Sequence, residues 1–168
     1  LAETAFEREE RLFAILDSTG VGKSRIFLGI AANQILNSST DRVLLLSTAI
    51  LFSTIQEEHR QMRFQEMTGY SMTRMRNAAP KERTILFCSI ALVHNARVLP
   101  MIYEWLSSSK VGTPLIIVDE AHSIRSVTSL ASVTVTEILT RYANSRLVLA
   151  SATLATNLTE MQLLLSLA

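Results

Sequence analysis

Short, unbroken apolar runs alternate with longer segments of helical period, and this alternation constrains the fold more than any other feature. The runs are Leu12–Leu16 and residues 43–46, 84–88, 115–118 and 146–150. A strand that alternates polar and apolar side chains has one wet face, whereas a strand apolar throughout is buried on both. Between the first two runs, Lys23–Leu36 carries Ile26, Phe27, Ile30, Ala31 and Ile35 at helical spacing and stops at Asn37-Ser38-Ser39-Thr40-Asp41. Residues 50–67 predict a second helix closed by Gly69, residues 92–106 a third that carries Pro100, residues 129–142 a fourth and residues 157–167 a last. The acidic first ten residues suit a short solvated helix, and a weaker strand is expected near residues 70–75. The pattern predicts an α/β chain with a mainly parallel sheet and helices on both faces. In such sheets ligands bind at the carboxyl ends of the strands. The residues that follow each strand are therefore the ones to read for chemistry.

A length of 168 residues fits one domain, and 48% hydrophobic content supports a sizeable core. The net charge of +1 supplies no bulk basic field for nucleic acid. Arginine provides 13 of the 16 basic residues, and its planar fork suits phosphate and carboxylate. The single cysteine, Cys88, excludes an internal disulfide and a cysteine-based zinc site. No apolar run approaches the ~18 residues of a membrane span, and no segment reads as a signal peptide. The start at Leu1 and the terminal run Leu163-Leu164-Leu165-Ser166-Leu167-Ala168 lead us to expect a piece of something longer.

Three stretches behind the strands carry chemistry. After the first strand comes Asp17-Ser18-Thr19-Gly20-Val21-Gly22-Lys23-Ser24, opening a helix. Gly20 and Gly22 allow a tight turn whose N–H groups point inward, and the helix start adds partial positive charge for phosphates. In that reading Lys23 reaches the outer phosphates and the Ser24 hydroxyl ligates Mg²⁺. The full pattern has glycine where Asp17 stands, and the plain alternative is a glycine turn capped by Ser18 or Thr19. After the run 115–118 comes Asp119-Glu120-Ala121-His122. Adjacent carboxylates at a strand end can divide labour, Asp119 holding the metal and Glu120 orienting and deprotonating water. Alone, the pair would be a helix cap with its neighbour. After the last strand comes Ser151-Ala152-Thr153, whose hydroxyls can bridge carboxylates and backbone groups.

Taken in order, Thr19-Gly20-Val21-Gly22-Lys23-Ser24, Asp119-Glu120-Ala121-His122 and Ser151-Ala152-Thr153 resemble motifs I, II and III of superfamily 2 helicases. The resemblance spans residues 1–168 as a single RecA-like P-loop NTPase domain, the ATP-binding lobe, with the second lobe absent. Residues 114–158 are similar to the helicases of flavivirus-family and potyvirus polyproteins, with cellular DEAH-type helicases as the alternative. The resemblance implies an NTPase and RNA helicase lobe that couples Mg²⁺·ATP (or other NTP) hydrolysis to movement on a single strand, RNA before DNA. It implies nucleotide binding by residues 19–24, metal binding by Ser24 and Asp119, and catalysis by Glu120, Asp119, Lys23 and His122. It assigns coupling to Ser151 and Thr153. It implies nucleic-acid contacts at Ser47 and Thr48, and more loosely at Ser89. Arginine, common in cellular members after that Ser-Thr, is replaced here by Ala49. The partner lobe would supply arginines that stabilise the transferring phosphate, so this lobe alone should bind nucleotide better than it hydrolyses it. An intracellular setting, the host cytoplasm, follows from the same resemblance. A DNA translocase and a degenerate P-loop interaction module are the competing readings, the latter supported by Asp17.

The densest basic region, Arg60, Arg63, Arg74, Arg76, Lys81 and Arg83, is interleaved with Glu57, Glu58, Glu66 and Glu82. An ion-paired, solvated face is the expectation there rather than a phosphate track. Cys88 and Trp105 are expected to pack in the interior, and Met62, Met67, Met72 and Met75 to fill gaps in the core.

Overall fold

The apolar runs pair side by side. A computed structural model describes residues 11–16, 22–76, 80–121 and 129–151. In chain order these form β1 (Leu12–Leu16), α1 (Lys23–Leu36), β2 (Val43–Ser47), a 3-10 turn (Ala49–Leu51), α2 (Phe52–Gln61) and α3 (Phe64–Thr68). There follow β3 (Ser71–Arg74), β4 (Thr84–Ser89), α4 (Val98–Ser107), β5 (Leu115–Asp119), α5 (Leu130–Arg141) and β6 (Arg146–Ser151). The strands make one sheet in the order β1-β6-β5-β2-β4-β3, and each pairing is parallel. The expected helices at the two ends of the chain lie outside the described residues.

Strand periodicity sorts the core into two layers. Val43, Leu45, Ile85, Phe87, Leu115 and Ile117 face one way and pack with Phe27, Leu28, Ile55 and Phe64 of α1, α2 and α3. Leu44, Leu46, Leu86, Cys88, Ile116 and Val118 face the other and pack with Ile102, Trp105, Leu106, Val135 and Ile138 of α4 and α5. Both faces of β2, β4 and β5 are thus dry, which is why these strands are apolar throughout. Each buried Leu, Ile or Phe contributes about 1.5–3 kcal/mol. Cys88 lies in this interior, where burial pushes its thiol up to about 12. Met72 and Met75 are core residues as expected, whereas Met67 is exposed. Among the described residues no helix is long and apolar enough to cross a membrane.

Two helices differ from expectation. Residues 50–67 are not one helix: Arg63 adopts a left-handed φ of 52° between α2 and α3. Ile55 and Phe64 explain the break. Nine residues apart, they would sit on opposite faces of a continuous helix with 3.6 residues per turn. The kink at Arg63 turns Phe64 onto the sheet beside Ile55, and both are fully buried. The helix expected from residue 92 begins at Val98, after turns in which Leu92 N–H donates to the Ser89 carbonyl and Arg97 N–H to Asn95 Oδ1. Pro100 therefore falls in the first helical turn, where its missing N–H leaves no hydrogen bond unmade.

Candidate nucleotide site at the carboxyl edge of the sheet

α1 starts directly after Gly22, whose φ of 87° and ψ of 23° are left-handed. A Cβ on Gly22 would meet nothing within 4 Å, so glycine serves the backbone conformation rather than space. The Gly22 carbonyl accepts from Arg25 N–H at 2.9 Å. Gly22, at the N-cap, offers no side chain to cap α1, and among the described residues its first turn holds no acid. A helix start of this kind favours an anion. Lys23 is buried and Ser24 half-buried in that first turn. Thr19, Gly20 and Val21, with Asp17, lie outside the described residues.

Asp119 ends β5 and is 4% exposed. Burial raises its carboxyl above the usual 3.8. The hydrogen bond from Ser47, a backbone hydrogen bond at Glu120 and the charge of Lys23 pull the other way, while the neighbouring Glu120 charge adds to the rise. Ser47 Oγ donates to Asp119 Oδ2 at 3.0 Å. Lys23, 96 positions earlier in the chain, is thus close enough to act on Asp119 electrostatically. Glu120 takes a left-handed φ of 55°. That turn lets Ala121 enter the core behind β5 while Glu120 stays half-buried. Non-glycine residues in this conformation cost about 1–3 kcal/mol and cluster at functional sites.

Sheet order explains how the motifs meet. β6 lies between β1 and β5, and β2 flanks β5 on its other side. Ser151 pairs in register with Leu16, and Asp119 with Ala150. Ser151, Asp119 and Ser47 therefore end three neighbouring strands, and all three are buried. His122 and Thr153 lie outside the described residues.

The three residues expected to touch nucleic acid separate here. Ser47 is fully buried with its hydroxyl on Asp119, so its side chain faces the carboxylate rather than a polymer. The reason is local: β2 is dry on both faces, and a hydroxyl at its end must bond inside. Ser89 is also buried, at the end of β4. Thr48 is half-buried ahead of the 3-10 turn and reaches solvent.

The ion-paired face expected among the basic residues is present in part. Arg60 pairs with Glu57 at 2.6 Å, Arg63 with Glu66 at 2.7 Å and Lys110 with Glu82 at 3.2 Å. Arg74 instead lies 5.6 Å over the Phe52 ring. A cleft of about 750 Å³ is lined by residues of α2, α3 and β3, His59 and Phe64 among them. Its lining includes the paired Arg60, Glu57, Arg63 and Glu66 and none of the motif residues, so we do not place the nucleotide there.

Two features of the site escaped sequence reading. The Ser47–Asp119 bond had one available signal, a hydroxyl residue closing an otherwise apolar strand. The left-handed backbone of Glu120 had none, because glutamate does not mark that conformation.

The family described as P-loop containing NTP hydrolase pore-1 matches residues 2–167. No curated protein matches the chain. Among solved structures, the Sulfolobus solfataricus SWI2/SNF2 ATPase core in complex with dsDNA is similar, with a TM-score of 0.70 at 10% sequence identity. The match covers 96% of this chain and 32% of that one, so the chain spans about a third of that protein's length. The fold is that of a RecA-like P-loop NTPase domain.

Proposed function

Because the chain belongs to the P-loop containing NTP hydrolase pore-1 family, we propose that it is the nucleotide-binding lobe of a nucleic-acid-dependent NTPase motor. The observation that carries this reading is the buried Asp119 at the carboxyl end of β5, within electrostatic reach of Lys23 where α1 starts after Gly22. Residues 19–24 cradle the phosphates, with Lys23 on the outer ones. Ser24 and Asp119 are the oxygen donors that fit Mg²⁺. Among the described residues no group of three or more His, Cys, Asp or Glu gathers as a cage. Mg²⁺ at such sites is commonly held by one or two carboxylates together with substrate phosphates. The buried Asp119, its ionised form disfavoured by burial, is a carboxylate that a cation would stabilise. Bound Mg²⁺ would neutralise phosphate charge as the bond to the leaving group breaks.

Glu120 orients the attacking water and takes its proton. His122, Ser151 and Thr153 link the phosphate site to the strand-binding surface. A second RecA-like lobe supplies the arginines that stabilise the transferring phosphate, so hydrolysis by this chain alone is slow. We take the track to be single-stranded RNA, in a helicase of the flavivirus-family and potyvirus type acting in the host cytoplasm. A second reading, a duplex-DNA translocase or a cellular DEAH-type motor, is favoured by the likeness to an ATPase core solved with dsDNA.

The test is Mg²⁺-dependent binding of a fluorescent ATP analogue, with Lys23→Ala beside it. Loss of the charge-assisted contact should weaken binding at least about tenfold. A variant that binds as tightly as wild type, or a wild type that binds nothing, would refute the reading. Stimulation of hydrolysis by single-stranded RNA against duplex DNA then separates the two tracks.

A further inference from the structure

β2 is buried and apolar up to its last residue, Ser47. Both ends of that residue are fixed. Its hydroxyl donates to Asp119 Oδ2 at 3.0 Å, and its carbonyl accepts from Ile90 N–H at 2.9 Å in the turn after β4. The chain then leaves the interior within three residues. Thr48 is half-buried, Leu51 N–H closes a tight turn on the Thr48 carbonyl at 3.1 Å, and Ile50 is 85% exposed. α2 follows without a linker, and Glu58 and Gln61 of α2 accept hydrogen bonds from Arg25 in the first turns of α1. Residues 47–61 therefore join the Asp119 carboxylate, through Ser47, to the first turn of α1, through Glu58 and Gln61, with the solvent-exposed Ile50 between them.

Resting on the reading above, we infer that Ser47 is a positioning residue for the metal carboxylate. Its hydroxyl fixes the rotamer of Asp119, the carboxylate that would hold the Mg²⁺ of the nucleotide complex, and it passes any displacement of the 48–51 turn to that carboxylate. A hydroxyl behind a metal-binding carboxylate sets ligand orientation, and removing such partners commonly costs 10–100-fold in metal affinity. A strand of nucleic acid landing on Thr48 and Ile50 would then bias metal binding through Ser47, and metal binding would bias strand binding by the same factor.

The experiment follows binding of a fluorescent ATP analogue against Mg²⁺ concentration for wild type, Ser47→Ala and Ser47→Thr, with folding checked by circular dichroism. Ser47→Ala should raise the Mg²⁺ midpoint about tenfold or more, and Ser47→Thr, which keeps the hydroxyl, should restore it. A purely structural serine would lower thermal stability and leave the midpoint of the folded protein alone. Should Ser47→Ala not fold, Ser47→Cys, with a weaker donor of similar size, carries the same expectation. A single-stranded oligonucleotide should shift the wild-type midpoint but neither the Ser47→Ala nor the Ile50→Asp midpoint. A folded Ser47→Ala with a wild-type midpoint overturns the inference while nucleotide binding stands. An oligonucleotide shift of equal size in Ser47→Ala overturns the transmission. A wild type that binds no nucleotide with Mg²⁺ overturns the functional reading and the inference together.

Discussion

Replacing Glu120 separately by glycine and by alanine isolates the backbone at the end of β5. Both substitutions delete the same carboxylate, so whatever that group touches cancels in the comparison. At φ 55° the main chain is left-handed, a conformation that costs an L residue about 1–2 kcal/mol and glycine almost nothing. Glycine loses about 0.5–1 kcal/mol by comparison, because its unfolded chain has more freedom. The balance leaves Glu120→Gly more stable than Glu120→Ala by about 0.5–1 kcal/mol, the reverse of the order in a helix or strand. At an m-value of about 2 kcal/mol/M in urea, the midpoints should differ by roughly 0.2–0.5 M. Equal midpoints, or a higher one for alanine, would show that the turn carries no strain. On the role proposed for Glu120, both variants should also lose hydrolysis, since neither keeps a carboxylate to take the proton from water. A glycine variant that is stabler yet inactive would mean that the strained glutamate is kept for its chemistry.

Two further perturbations test the frame around the site. Gly112 has a φ of 59°, pairs as a bridge with Thr40, and a Cβ there would run into the Ser39 backbone carbonyl. Gly112→Ala should therefore destabilise the fold by about 3 kcal/mol, from a left-handed residue plus a backbone clash. Urea unfolding reads this, and the folded fraction should bind nucleotide normally, because the bridge lies at the amino edge. His59 stacks on Phe64 at 4.7 Å, and its Nε2–H donates to the Tyr70 carbonyl at 3.1 Å. Burial lowers the His59 pKa below 6.5. As pH falls, the unfolded chain takes the proton first, so the stability His59 gives is complete above about pH 6.5 and declines as pH falls from there toward the folded value. His59→Gln should flatten the stability difference between roughly pH 7.5 and 5.5. An unchanged difference in that variant would assign the effect elsewhere.

Elements whose signal was local were legible. Lys23–Leu36 has its apolar stripe, a glycine before it and a polar stop after it, and α1 has those bounds. The dry strands were legible for the same reason, since burial on both faces leaves no polar position inside them. What failed depended on partners distant in sequence. The break at Arg63 follows from two apolar residues that must reach one sheet, and nothing within residues 50–67 announces that sheet's position. The late start of α4 follows from the route the chain takes out of β4. The resemblance gives Ser47 a nucleic-acid contact from its place in a motif order, whereas the partner of its hydroxyl is Asp119, 72 positions later, which no local pattern announces.

That dependence on distant partners reaches the phosphate-binding loop itself. β1 delivers the chain to the loop, and among the described residues its one sheet neighbour is β6. The Arg11 guanidinium reaches the Ser145 carbonyl and Leu147 N–H donates to the Arg11 carbonyl, both across more than 130 positions. The connection from β1 to β2 skips over two places in the sheet, and β5 and β6 fill them last. Loop-closure entropy must be met before such pairings stabilise anything. The edge that gathers Lys23, Asp119 and Ser151 is therefore incomplete until residues 146–151 take their place. A chain that lacks β6 would leave β1 without a strand partner and Asp119 at a bare sheet edge, so phosphate binding and strand order are one requirement.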